Sequence, residues 1–333
     1  ELQSVAFKIF KYNIFFIISF LLLFTAMFFA HDVEAAACDR NSDNEITISS
    51  NVASEEECEF PPNTYRITFY KGGLCTSDPM GTANGAADLS SCFLFFNNDS
   101  GKAVSLVSSA TGVLTPSTLI EGGLSLEINT YPYAFLILDN ALEMQHTDTF
   151  SAMMTGSSAT GTSCWSLKKT STNSNTTNAG TRNGVAAAAI NEGTRSTYTI
   201  DCGSSEDVPS PVPFTTDVID TLGDDCSSNF AAIFGTTGWD TAEEAGSAAT
   251  LGGIMGAKLL QSDDTIATDC TNSSKIFYGI DFTNSLDINE NTSSFDLSFK
   301  VKTGVSMAIS EQSSAPYYTN LAANPFQVIF TAE

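Results

Sequence analysis

Histidine is nearly missing from this chain: His31 and His146 are the only two. A site built from several imidazoles is therefore excluded, and a nucleophile–histidine triad has one candidate base beyond the N-terminal region. Basic residues are scarce as well, 14 Lys and Arg against 38 Asp and Glu, giving a formal charge of −24. Such a surface repels phosphate backbones and anionic lipid, so nucleic-acid binding and electrostatic docking to a membrane are not expected. No two cysteines are spaced as CxxC, which removes the zinc ribbon and the thioredoxin-type redox pair. G-x-S-x-G is also lacking, and Leu251-Gly252-Gly253-Ile254-Met255-Gly256 has no following Lys-Ser or Lys-Thr to make it a phosphate loop. No repeat of fixed period runs through the sequence.

What is present starts with the uncharged stretch from Ile14 to Ala30, preceded by Lys8 and Lys11 and followed by Ala35-Ala36-Ala37. A basic end, an apolar middle and an A-x-A site are the layout of a secretory signal, so residues 1–37 are expected to be a signal peptide, with an uncleaved anchor as the alternative. Without Lys8, Lys11, Glu1, Asp32 and Glu34, the remainder carries −23. All eight cysteines follow the apolar stretch: Cys38, Cys58, Cys75, Cys92, Cys164, Cys202, Cys226 and Cys270. An even number in an exported chain predicts disulfides, and pairing of sequence neighbours is the expectation. The implied location is extracellular or at the cell surface, with the periplasm as a variant.

Alternation of apolar and polar residues predicts an all-β fold of two antiparallel sandwich-like domains. Residues 38–207 would form the first and 214–333 the second, joined by the stiff spacer Val208-Pro209-Ser210-Pro211-Val212-Pro213. Tyr65 to Phe69 alternates and is expected to end in a turn at Lys71-Gly72-Gly73. Leu124, Leu126 and Ile128 should share a buried face. Tyr133 to Leu138 is apolar without interruption, which predicts a central strand covered on both sides. Residues 155–184, rich in Ser, Thr and Asn, read as an exposed excursion held by Cys164 and Cys202. Asp240 to Ala245 has an N-cap and first-turn acids suited to a short helix. Phe295 to Val301 followed by Thr303-Gly304 and Val305 to Ile309 reads as a hairpin, and Phe326 to Phe330 as a last strand.

Asp39, Asn41 and Asp43 place oxygen side chains at alternate positions and resemble the first half of a calcium loop of the EF-hand type. The second half departs from it: Asn44 replaces the turn glycine and Ser50 the closing glutamate. These three residues are the metal candidates, Ca2+ is the one ion they suggest, and no other cofactor is expected. His146, flanked by Glu143 and Asp148, is the only histidine available for chemistry, and no serine is singled out to join it. The expected function is structural or adhesive, carried by surface loops and without catalytic activity. Other surface proteins, glycans or further copies of the chain are the expected partners. A calcium-assisted ligand- or glycan-binding module is the first alternative. A hydrolase using paired carboxylates is the second, and it requires two facing carboxyl groups, one with a raised pKa.

Overall fold

A computed structural model describes residues 37–48, 56–81, 85–107, 113–114, 127–172, 192–220, 239–244, 253–293, 295–301, 304–310, 312–323 and 327–332. Residues 1–36 of the expected signal, residues 173–184 of the expected excursion, Leu124, Leu126 and Cys226 lie outside the described residues. Among those described, regular structure is strand, interrupted only by short 3-10 turns, and no helix is long and apolar enough to cross a membrane.

Three sheets account for the strands. The largest has the order β12 (Trp239–Glu244), β13 (Ile254–Leu260), β14 (Lys275–Ile288), β5 (Asn129–Asp139), β2 (Thr64–Cys75), β6 (Ala141–Gln145), β11 (Thr215–Val218), β9 (Thr170–Thr172), with β3 (Cys92–Val107) also on β2. The second runs β1 (Glu56–Phe60), β16 (Val305–Ile309), β17 (Tyr317–Ala323), β7 (Thr147–Thr155), β8 (Thr160–Ser166), β10 (Ile200–Gly203). The third is β18 (Gln327–Ala332), β15 (Phe295–Lys300) and β4 (Val113–Leu114). One buried cluster joins all three, drawing Tyr65, Leu136 and Ile280 from the large sheet, Met307 and Leu321 from the second, and Phe299 and Phe330 from the third. Phe69 meets Phe299 with ring centres 5.3 Å apart, and Phe282 meets Phe330 edge-on at 5.8 Å.

β5 occupies the position its composition demands. Tyr131, Ala134, Leu136 and Leu138 enter the main core, while Phe135 and Ile137 enter a second cluster on the opposite face with Met80, Leu260 and Phe277. Alternation sends successive residues to opposite faces, so an unbroken apolar run is needed only where both faces are covered.

Six expectations change. The proline spacer does not divide two sets of sheets: β14 pairs with β5, β1 with β16 and β17 with β7, and residues 37–333 cluster as one unit. The spacer itself is docked, because Gln145 Nε2 donates to the Val212 carbonyl and Ser166 Oγ to the Pro213 carbonyl at 2.6 Å. β2 continues through Gly72 and Gly73 instead of turning there. A Cβ on Gly72 would come within 2.6 Å of the Phe95 ring, and one on Gly73 within 2.5 Å of the Phe135 ring, so these glycines serve close packing of aromatic rings. The expected 295–309 hairpin does not form. β15 pairs with β18 and β4, whereas β16 pairs with β1 and β17, so the chain crosses between sheets at Gly304. Residues 240–244 form strand β12 instead of a helix, paired with β13. Within the expected excursion, residues 160–166 are β8, with Cys164 and Trp165 buried, and Ile128 is 64 % exposed.

Three disulfides join sequence neighbours as expected: Cys38–Cys58, Cys75–Cys92 and Cys164–Cys202, separated by 20, 17 and 38 residues. Cys270 is disulfide-bonded as well. The second and third link directly opposed residues of paired strands. In the chain-entropy picture, closing loops of this length is worth about 3 to 4 kcal/mol each. Bridges of this kind belong to an oxidising, extracellular-like environment.

Candidate functional site

The face of the large sheet turned away from the main core can be mapped row by row, because opposed residues on antiparallel strands share a face. One row is Ile254, Asp281, Tyr133 and Cys75; the next is Gly256, Gly279, Phe135 and Gly73. Then come Lys258, Phe277, Ile137 and Lys71, and last Leu260, Lys275 and Asp139. The Phe135 and Phe277 rings stack with centres 5.5 Å apart, and Met80 closes over this cluster from the loop between β2 and β3.

That loop is tied down twice. Cys75–Cys92 closes its base. Lys258, fully buried on β13, donates its ammonium to the Met80 carbonyl and to the Gly85 carbonyl at 2.7 Å. Burial lowers the Lys258 pKa to about 8, against a smaller opposing pull from Asp78. A lone lysine at an alternate position of the apolar run Ile254 to Leu260 was the sequence signal for this latch. Thr76, Ser77, Asp78, Ala86, Asp88 and Ser90 stay exposed on the loop.

Charged groups flank the cluster on both sides. Asp264, at the β13–β14 turn, accepts from Lys71 at 2.5 Å and Lys275 at 2.6 Å, and Lys275 lies 4.4 Å from the centre of the Tyr70 ring. Tyr70 donates to Asp139 at 3.0 Å, and its pKa is pushed up to about 12 by burial and by that carboxylate. On the other side, burial and the neighbouring Asp78 charge raise the Asp281 pKa. Burial, Asp281 and Asp78 together raise that of Tyr133.

The residues named from sequence are placed elsewhere. Asn41 and Asp43 lie in a tight turn bridged from Arg40 to Ile46, and Asp39 sits just before it with its carbonyl accepting from the Thr47 N–H at 2.9 Å. The Asn41 side-chain carbonyl accepts from the backbone N–H groups of Asp43 (3.0 Å) and Glu45 (2.9 Å), and its amide donates to Glu45 Oε2 at 2.8 Å. Asn44 supplies the left-handed residue the turn requires, with φ at 64°. That side-chain oxygen is thus committed to the chain's own amides. Among the described residues, no group of three or more His, Cys, Asp or Glu side chains is placed to hold a metal ion.

His146 is buried against Phe60, ring centres 4.1 Å apart. Its Nε2 lies 3.3 Å from Asp148 Oδ2, and Asp148 is gripped by both terminal nitrogens of Arg40. Burial lowers the His146 pKa, more than Asp148 raises it, so the ring is neutral near pH 7. Ser166 approaches only the His146 backbone, accepting from its N–H at 3.1 Å while donating to Pro213. The arrangement orients a strap, residues 37–48, against β7, and among the described residues no Ser, Thr or Cys side chain hydrogen-bonds to the imidazole.

Asp217, completely buried on β11, was not singled out from sequence. It accepts from Ser171 Oγ at 2.8 Å and from the Ala323 N–H at 2.9 Å, joining the large sheet to the second one. Burial raises its pKa, with the two donors acting the other way and the nearby Asp220 adding to the rise. No known protein family, curated sequence or solved structure matches this chain.

Proposed function

We propose that this is a secreted or cell-surface structural protein, sandwich-like in its packing, that works by adhesion through loops mounted on rigid sheets. The observation carrying this reading is the loop from Cys75 to Cys92: covalently closed at its base, plugged into the sheet by Met80 and latched by buried Lys258. A loop held at both ends and along its course loses little conformational freedom when its exposed side chains meet a partner, which favours binding. Among its described residues, the exposed ones are small or acidic, suited to polar surfaces of other proteins, glycans or further copies of the chain.

Replacing the exposed loop residues Thr76, Ser77, Asp78, Ala86, Asp88 and Ser90 by Gly or Ser, while keeping both cysteines and Met80, tests the reading. The variant is expected to fold with an unchanged disulfide pattern and to lose retention on immobilised glycans, on cell surfaces or on itself. Retention equal to that of the unaltered chain, or turnover of a broad glycan and ester panel by the folded protein, would overturn it.

A further inference from the structure

Ser157 and Ser158 are neighbours in the turn between β7 and β8, and they meet opposite chemistry. Ser158 donates its hydroxyl to Asp201, whose Oδ1 also accepts the Ser158 N–H at 3.0 Å and the Ala159 N–H at 2.9 Å. That carboxylate fixes the turn. Ser157 Oγ instead lies 2.5 Å from Lys169 Nζ.

Both members of this second pair stand on hydrogen-bonded backbone. The Ser157 N–H donates to the Ile200 carbonyl at 2.9 Å, and Gly156 N–H closes the turn on Ala159 at 3.0 Å. A Cβ on Gly156 would fall 2.5 Å from Asp201 Cα, so the turn is pressed directly onto β10. The Lys169 N–H donates to Leu167 at 2.8 Å, and its carbonyl accepts from the Thr216 N–H at 2.8 Å and from Thr215 Oγ1 at 3.1 Å. Its ammonium also donates to the Ser196 carbonyl at 2.7 Å. Arg195 donates Nε to the Gly156 carbonyl at 3.1 Å, bringing to the turn a charge of the sign a tetrahedral oxyanion needs. Ser157 and Lys169 are both half-buried, so neither is sealed from solvent.

We propose that Ser157 and Lys169 form a serine–lysine pair that accepts an acyl group from an ester on a partner molecule. A hydroxyl becomes a useful nucleophile when an adjacent base takes its proton, and a neutral amine can be that base. Ser157 Oγ bonds to the ester carbonyl carbon as its proton passes to Lys169 Nζ. The tetrahedral centre then collapses, the bond from carbon to the alkoxy oxygen breaks, and the alcohol leaves with the proton Lys169 had taken. The product is an acyl ester on Ser157, with the amine neutral again. Desolvation lowers the Lys169 pKa, in the direction a base requires, although Asp201 pulls the other way. This goes beyond the adhesive reading, which depends on the loop from Cys75 to Cys92 and not on this turn.

The oxidised full chain is incubated with p-nitrophenyl acetate and, separately, with a fluorophosphonate, across about pH 6 to about pH 10, followed by peptide mass mapping. Acetyl and phosphonyl groups are expected on Ser157 and not on Ser158, at a rate that rises with pH to a plateau as the amine deprotonates. Ser157→Ala abolishes the labelled peptide. Lys169→Arg keeps the cation and its hydrogen bonds but cannot serve as base in this range, and slows labelling by at least about tenfold. A purely structural lysine would leave labelling unchanged in Lys169→Arg. The thermal midpoint of that variant shows whether it is folded, and the labelling map of the unaltered chain stands without it. Absence of label on Ser157 at every pH, or equal labelling in a folded Lys169→Arg, overturns the proposal.

Discussion

Asp148 and Asp217 do the same mechanical job in two parts of the molecule, and their chemistry is opposite. Each ties one segment to a sheet: Asp148 holds the strap of residues 37–48 to β7 through Arg40, and Asp217 holds β11 to β17 through the Ala323 N–H. Burial raises both pKa values. At Asp148 the hydrogen bonds from Arg40 and His146 and the Arg40 charge outweigh it, and the carboxyl is held at about 2. At Asp217 the donors are a hydroxyl and a backbone amide, both neutral, and burial wins. Of these two carboxylates, the one accompanied by a cation supports the fold near pH 7, and the one left with a single hydroxyl and a strand amide does not.

Removing the cation is the largest way to break this contrast. Arg40→Met would leave Asp148 buried without its guanidinium and is expected to cost about 2 to 3 kcal/mol, less than for a fully buried pair because Arg40 is 31 % exposed. Equilibrium denaturation measures it, with Cys38–Cys58 keeping the strap covalently attached. The pH dependence should change too. A folded pKa of about 2 lies below the unfolded value of about 3.9, so this stabilisation is complete above that value and lost as pH falls through about 2. In Arg40→Met that acid limb flattens. A variant as stable as the parent at neutral pH would show that the ion pair contributes nothing.

Asp217→Asn probes the other member and should have the opposite sign. A folded pKa raised above the unfolded one gives stability that is present at low pH and lost as pH rises through the folded value. Asparagine keeps an oxygen for the Ala323 N–H and turns its amide toward Ser171 Oγ, which can accept. The expected outcome is a gain of about 1 kcal/mol at pH 7 that disappears below about pH 4, where the carboxyl is neutral in both states. Asp148→Asn should destabilise over the same upper range. Equal responses from the two asparagine variants would end the distinction.

The parts of the fold legible in the sequence were those governed by near neighbours. The run Tyr133 to Leu138 needs two covered faces, and β5 has them. The expected Cys38–Cys58, Cys75–Cys92 and Cys164–Cys202 pairs form because each closes a short loop on adjoining strands or on the strap. Gly72-Gly73 misled because glycine signals a turn unless one knows that Phe95 and Phe135, brought by other strands, need the space. The 295–309 segment has hairpin periodicity in both arms, but each arm finds a partner far away in sequence, Cys58 opposite Met307 and Phe330 opposite Leu297. The electrostatic features were hidden for the same reason. Asp217 becomes a perturbed acid only when β11 is laid against Ala323, 106 residues later, and Lys258 becomes a latch only when the 76–91 loop folds over it.

Asp264 completes the series as a carboxylate that has cations but is less deeply buried than the other two. Burial raises its pKa, while Lys275 and Lys71 lower it further than burial lifts it, so it follows Asp148 in direction. Its side chain is 23 % exposed, however, and water competes for the charges. Asp264→Asn keeps the left-handed backbone, with φ at 67°, because asparagine tolerates it as well as aspartate does. The expected loss is about 0.5 to 1 kcal/mol, shrinking as salt is raised, since pairs near the surface are screened. In Arg40→Met the corresponding loss should be much less sensitive to salt. Measuring both variants at low and high salt therefore sorts the two carboxylates by depth: a loss at Asp264 as large and as salt-resistant as that at Arg40 would mean that partial exposure does not weaken the pairing.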